Sequence, residues 1–329
     1  MYKYLKPKNY ARGVLRVANI YGISGVESLL ERHPEEPLRH PPVFFLGAPR
    51  SGSTLAVQVL TDALDFGYIS NFHCRWFGAP AIAERLFHPT ANRAQSDYSS
   101  SQGVTRGPHA PAECGEWWYR FFRRTPPYME LEEVKPRKMR DFRRSIVALT
   151  NAFDRPILFK NLYASLRIQA IAHYLPESLF IVMRRDEVDN GHSLLESRYR
   201  RSGIYEAWFS VEPPEADKLK TLPAHEQVIE QIRHIHASIN ADLKKAGVSF
   251  ARWFSLDYES LCADPCAVVD AVQGFLVGNG VRVEKRKHAL PAWFNRSREV
   301  RIERALYDAM VSYARREPGP EPEPEPERG

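Results

Sequence analysis

Gly47 and Gly52 stand five residues apart, with Arg50 and Ser51 between them and Ser53 and Thr54 directly after. Entered from an apolar run and left into helical periodicity, this is nearly the phosphate-cradling loop G-x-x-x-x-G-K-[ST]. Such a loop binds anions, because backbone N–H groups and the positive end of a helix converge on one point. Its side chains add donors: Arg50, Ser51, Ser53 and Thr54 cluster around Gly52. The lysine that would reach a β/γ-phosphate is replaced by Ser53, and the positive charge has moved to Arg50. A partner acid for Mg²⁺ is lacking; the best candidate, Asp257 at the end of "FSLD", runs straight into "YESL". The loop therefore suits a nucleotide handled without metal-dependent triphosphate chemistry, and no metal is expected.

Such residues need a strand to deliver them and a helix to receive the anion. Residues 42–49, "PVFFLGAP", form a continuous apolar run typical of a strand buried on both faces, and 53–64 show helical spacing. Further strands are predicted over 66–72 ("FGYISNF"), 155–161, 178–185 and 248–258. Helices are predicted over 10–32 (broken near Gly22 and Gly25), 137–153, 165–175, 187–200, 225–246 and 264–276. The last opens on Asp264 with Pro265 at its first position. Strands alternating with helices predict an α/β fold, a parallel sheet flanked by helices, interrupted by a large insertion at about 74–150. The expected organisation is an N-terminal helical extension over 1–40, one domain over 41–316, and a disordered Pro/Glu tail over 317–329. No internal repeat is present.

Composition limits the alternatives. The 329 residues are 43% hydrophobic, enough for a real core, and no run of eighteen apolar residues is long enough for a membrane span. The N-terminus has scattered charges and no continuous apolar stretch, so it does not read as a secretory signal. Cys74, Cys114, Cys262 and Cys266 are too few for a disulfide scaffold and lack zinc spacing, and are read as reduced, buried thiols. Net charge is +6, and because the tail "EPGPEPEPEPERG" is acidic, the positive excess lies in the body. That suits an anionic ligand. No zinc-finger spacing or RNP-like run supports nucleic acid. The basic helix at 137–144 offers a peripheral contact with a membrane surface, and a cytoplasmic location is expected.

"GAPRSGSTL" resembles the 5′-phosphosulfate loop of sulfotransferases that use 3′-phosphoadenylyl sulfate (PAPS). A second motif of that family, for the 3′-phosphate, is a strand ending in Arg with Ser eight residues later at the start of a helix. Arg185 and Ser193 have that spacing here. "FSLDYESLCADP" is similar to a third feature, a strand followed by a Tyr-Glu-x-Leu turn and a helix. The resemblance runs in order from about residue 43 to 276; Glu187 departs from it where many members have Pro. It implies PAPS as co-substrate, held by Arg50, Ser51, Gly52, Ser53, Thr54, Arg185 and Ser193. The physics agrees, since an Arg fork supplemented by a hydroxyl suits a phosphate dianion.

By the same resemblance, Arg50 stabilises the leaving oxygen and Lys160, ending "PILFK", is a second cation facing the sulfonate. Some relatives carry a catalytic His two residues after this Lys; here the position is Leu162. Other branches place a Glu or His just beyond the strand that follows the loop's helix, and His73 is the first ionisable side chain there. His73 is accordingly expected as the base. The rival is "PHAPAECGEWW", with His109, Glu113 and Glu116, in which Glu113 is the alternative base. Trp76, Trp117, Trp118 and Tyr119 with Arg120, Arg123 and Arg124 suit a sugar, so the expected acceptor is a hydroxyl of a glycan or glycolipid. Two other readings stand beside this one: a degenerate P-loop kinase or NTPase, and a non-catalytic binder of an anionic polymer.

Overall fold

Val43–Gly47 form β1, whose five residues are all buried, because side chains alternate between two helix-covered faces. Phe44 and Leu46 enter one core with Trp118, Phe159 and Phe180, while Val43 and Phe45 enter the opposite core with Leu60 and Val272. A computed structural model describes residues 7–30, 37–90, 94–296 and 299–316. In it β1 is paired in parallel with β2 (Leu158–Lys160) on one side and β3 (Leu179–Arg184) on the other. β4 (Trp253–Asp257) lies outside β3, also parallel, giving the order β2-β1-β3-β4. The expected α/β architecture is present.

Helices complete the two layers. Before the sheet come α1 (Pro7–Ala18), a π-helical turn (Asn19–Ile23) and α2 (Ser24–Leu30). α3 (Ser53–Ala63) covers one face of the sheet together with α13 (Pro265–Gly278), which follows α12 (Tyr258–Ala263). The other face is covered by α7 (Pro136–Phe153), α8 (Ile168–Tyr174) and α11 (Ala224–Lys245). Between α3 and α7 lie the short α4 (Asn71–Arg75), α5 (Pro80–Phe87) and α6 (Gly115–Trp118). α9 (Glu187–Ser202), α11 and α14 (Arg304–Ala314) share a third, smaller core, and α10 (Ala216–Leu219) precedes α11.

The structure corrects several expectations. Residues 66–72 are not a strand: Gly67 makes one parallel bridge with Ile157, Ser70 one antiparallel bridge with Pro111, and the chain then coils into α4. Ser70 caps that helix, its hydroxyl accepting the His73 N–H while the His73 ring accepts the Ser70 N–H, and this reciprocal pair ends the extended segment. Four strands therefore stand where five were expected among the described residues. β4 is shorter than expected, because Phe250–Arg252 form a 3₁₀ turn. All four thiols are free, but Cys266 is exposed and Cys74 half-buried rather than buried. The Pro/Glu tail, 317–329, lies outside the described residues.

Candidate active site

The loop after β1 turns twice through left-handed backbone. Arg50 has φ 64° and Gly52 φ 93°, after which α3 begins at Ser53. Gly52 is required twice over: its conformation favours glycine, and a Cβ there would lie 2.2 Å from the Tyr258 ring. As N-cap, Gly52 brings no side chain to satisfy the first N–H groups of α3, which stay available to an anion.

α9 and the turn after β4 hold the loop in place. Arg185 Nη1 donates to the Arg50 carbonyl at 2.9 Å, and its guanidinium lies 4.4 Å from the centre of the Tyr258 ring. Arg50 Nε donates to Ser193 Oγ at 3.1 Å, and Asn190 Nδ2 to the Pro49 carbonyl at 2.7 Å. Ser193 lies in the second turn of α9, which begins at Glu187, rather than at its start. Burial, and then the Arg185 charge, pull the Arg50 guanidinium below its ordinary pKa. Ser51 Oγ and Arg185 Nε are buried without a partner. Crowded cations and orphaned donors around a bare helix end fit an anionic group.

The second cation comes from β2. Lys160 is almost wholly buried, its Nζ 2.9 Å from Glu113 Oε1 and donating to Thr54 Oγ1 at 3.0 Å. Thr54 Oγ1 in turn reaches the Gly103 carbonyl at 3.4 Å. The Glu113 backbone is fixed by Asn161, whose Nδ2 donates to its carbonyl at 3.2 Å. Loop, Lys160 and the insertion thus meet at one point. A cleft of about 440 Å³ opens there, lined by the loop residues Arg50, Gly52, Ser53 and Thr54 together with Arg185 and Tyr258. Glu113, Leu162, Tyr98, Gln102, Phe209, Ser210, Phe294 and Asn295 also line it.

His73 is not in this cleft, and its expected role as base is corrected. Its side chain is fully buried, Nδ1 accepts the Ser70 N–H at 3.1 Å, and Nε2 lies 3.1 Å from Glu84 Oε2. Because Nδ1 accepts, the ring hydrogen sits on Nε2 and is donated to Glu84. No acceptor hydroxyl can reach either nitrogen. Its position followed from a strand over 66–72 that does not form.

The expected sugar platform is also corrected. Trp117 and Trp118 are core residues: Trp117 stacks on Phe159 at 5.7 Å and donates from Nε1 to Ser145 Oγ at 3.1 Å. Arg120 bonds the Phe77 carbonyl and pairs with Glu27, Arg123 pairs with Glu133, and Arg124 lies over Tyr119. None of these residues, nor Trp76, lines the cleft. Glu116 pairs with Arg16 at 3.1 Å, and His109 is exposed. Asp257 ends β4 exposed, and no cluster of metal-ligating side chains occurs among the described residues.

Tyr98, Phe209, Ser210 and Phe294 were not singled out from the sequence, because each sits in irregular chain without periodicity. Tyr258 stood in the "YESL" stretch, but nothing in the spacing signals that its ring presses on Gly52.

Residues 41–278 match the profile of the Sulfotransferase family. Among solved structures, a sulfotransferase from Mycobacterium avium is similar with a TM-score of 0.50 and 16% identity, over 80% of this chain and 71% of that one. One from Mycobacterium tuberculosis gives 0.48 and 12%, over 94% of this chain and 80% of that one. The first is a likeness of fold; the second carries no further argument. No curated protein matches the sequence.

Proposed function

This chain belongs to the sulfotransferase family, and from that premise we propose that it moves a sulfuryl group from PAPS to a hydroxyl of a glycan or glycolipid. One observation carries the reading. An uncapped helix end, with its positive charge on Arg50 rather than at the usual lysine position, shares a cleft with a Lys160–Glu113 ion pair. Arg185 and Ser193, both bound to Arg50, are the residues assigned to the 3′-phosphate. Ser51, Gly52, Ser53 and Thr54 take the 5′-phosphate side.

In this reaction the acceptor oxygen forms a bond to sulfur, and the bond from sulfur to the bridging phosphate oxygen breaks. The phosphate keeps that electron pair and leaves as adenosine 3′,5′-bisphosphate. Arg50 and Lys160 neutralise the charge growing on the leaving oxygen and the sulfonate. Glu113 takes the proton of the acceptor hydroxyl and is assigned as base in place of His73. Its pairing with Lys160 supports that role, because a sulfonate entering the cleft competes for the ammonium and frees the carboxylate for the acceptor. The rest of the cleft lining supports the acceptor class: Tyr98, Phe209 and Phe294 supply ring surface, and Gln102, Ser210 and Asn295 supply polar groups.

Calorimetric titration tests the reading. Adenosine 3′,5′-bisphosphate should bind without Mg²⁺ and at least about tenfold more tightly than ATP, each tenfold being about 1.4 kcal/mol. Mg²⁺-dependent turnover of ATP would instead establish a P-loop kinase. Polyanion binding with no nucleotide binding would establish a non-catalytic binder.

A further inference from the structure

The N-terminal helices meet the body through their polar side. Asn19 is buried, its Nδ2 donating to the Arg75 carbonyl at 3.1 Å and its Oδ1 accepting the Gly78 N–H at 2.8 Å. The approach is close: a Cβ on Gly78 would lie 2.4 Å from the Asn19 carbonyl oxygen. Glu27 Oε1 accepts the Ala81 N–H at 2.9 Å, and Arg16 reaches Glu116. With Asn19 and Glu27 turned inward, Val14, Val17 and Tyr21, spaced i, i+3 and i+7, leave apolar side chains on the outside. They are 54%, 57% and 82% exposed.

Where α2 meets the start of α7 the surface is basic. An open concavity of about 460 Å³ is lined by Ser24 and Gly25 of α2 and by Lys135, Arg137 and Lys138 at the start of α7. Those three cations are exposed, and none has an ion-pair partner among the described residues. The one carboxylate in the concavity, Asp141, is paired with Arg144 at 2.9 Å. Trp76, which follows the Arg75 held by Asn19, is 36% exposed.

We propose that this face, the outer stripe of the N-terminal helices with the rim of Lys135, Arg137 and Lys138, docks on an anionic bilayer surface. An apolar stripe sinks into the boundary between headgroups and acyl chains, and flanking cations hold the anionic headgroups. A two-fold contact with a second copy fits less well, because an isologous interface sets the same patch against itself and brings the unpaired cations of both copies together. The inference does not depend on the nature of the reaction in the cleft.

Cosedimentation of the full chain with vesicles tests it, comparing phosphatidylcholine alone with mixtures in which about a third of the lipid is phosphatidylglycerol. Binding should be stronger to the anionic vesicles and weaken as salt shortens the Debye length. Val17→Asp, and separately Lys135→Glu with Arg137→Glu and Lys138→Glu, should each lower it at least about tenfold. Titration with adenosine 3′,5′-bisphosphate and a thermal melt on the same variants check that the fold is intact. Equal binding to both vesicle types, no binding to either, or variants that bind like the parent chain would overturn the proposal. So would a concentration-dependent dimer that Val17→Asp dissociates, which would give the face to a second copy.

Discussion

At the scale of single residues, two side chains compete for the role of base, and geometry separates them. Glu113 opens on the cleft beside Lys160, whereas His73 is buried outside it against Ser70 and Glu84. Glu113→Gln should cut the transfer rate by ~10²–10⁴, because an amide cannot take the acceptor proton. Affinity for adenosine 3′,5′-bisphosphate, measured by titration, should stay within a few-fold, since Glu113 is not among the residues assigned to the nucleotide. His73→Gln should show the opposite pattern. Glutamine at this position can keep the Ser70 cap, but losing the ring leaves the buried Glu84 carboxylate without its donor, costing about 2–5 kcal/mol of stability. Turnover per folded molecule should remain near the parent value. Transfer lost in His73→Gln at unchanged melting temperature would return the role to the histidine. Both residues stood out in the sequence for their chemistry, but burial decides between them, and no spacing rule encodes burial for a lone histidine.

At the scale of elements, α9 is more than a support for the sheet. From α9 Ser193 and Asn190 bond the loop, and from the end of β3 Arg185 bonds the carbonyl of Arg50 and lies over Tyr258. Arg185→Ala and Ser193→Ala should each weaken adenosine 3′,5′-bisphosphate at least about tenfold more than the analogue lacking the 3′-phosphate, given the strength of charge-assisted bonds to a dianion. Equal losses for both ligands would show that these residues only brace the loop. Gly52→Ala is the sharper test of the turn itself, because both the positive φ and the Tyr258 ring oppose a methyl group. Nucleotide binding should be lost for both ligands while the sheet persists by circular dichroism. The elements carrying this site were legible where apolar runs were continuous, as in β1 and β3, which are buried on both faces. Residues 66–72 were misread because a short run of aromatic and β-branched residues also suits a bridge that ends in a capped helix. The cap uses a histidine at the position where the familiar signature has Glu or Gln, so that signature gave no warning.

At the scale of the molecule, much of the cleft lining is assembled from segments around residues 98–103, 209–210 and 294–295, which only the topology brings together. That is why the sequence pointed to the phosphate loop and its two partner motifs, which are local, and not to these lining residues, which are scattered along the chain. Packing on this scale also sets a pH dependence. His236 on α11 has its pKa lowered to about 4, first by burial and then by Arg184 at the end of β3, and its Nδ1 is buried without a partner. In the unfolded chain the same imidazole titrates near pH ~6.5. Between these values the unfolded state binds more protons, so its contribution to stability is complete above about pH 6.5 and is lost as pH falls toward about 4. The loss should be on the order of 1–3 kcal/mol, read as a falling midpoint in denaturant melts between pH 7 and pH 5. His192 acts in the same direction, since burial lowers its pKa and its Nε2 accepts the Arg301 N–H. His236→Phe should therefore flatten the pH dependence without abolishing it, and an unchanged slope would show that the imidazole is charged in the folded state.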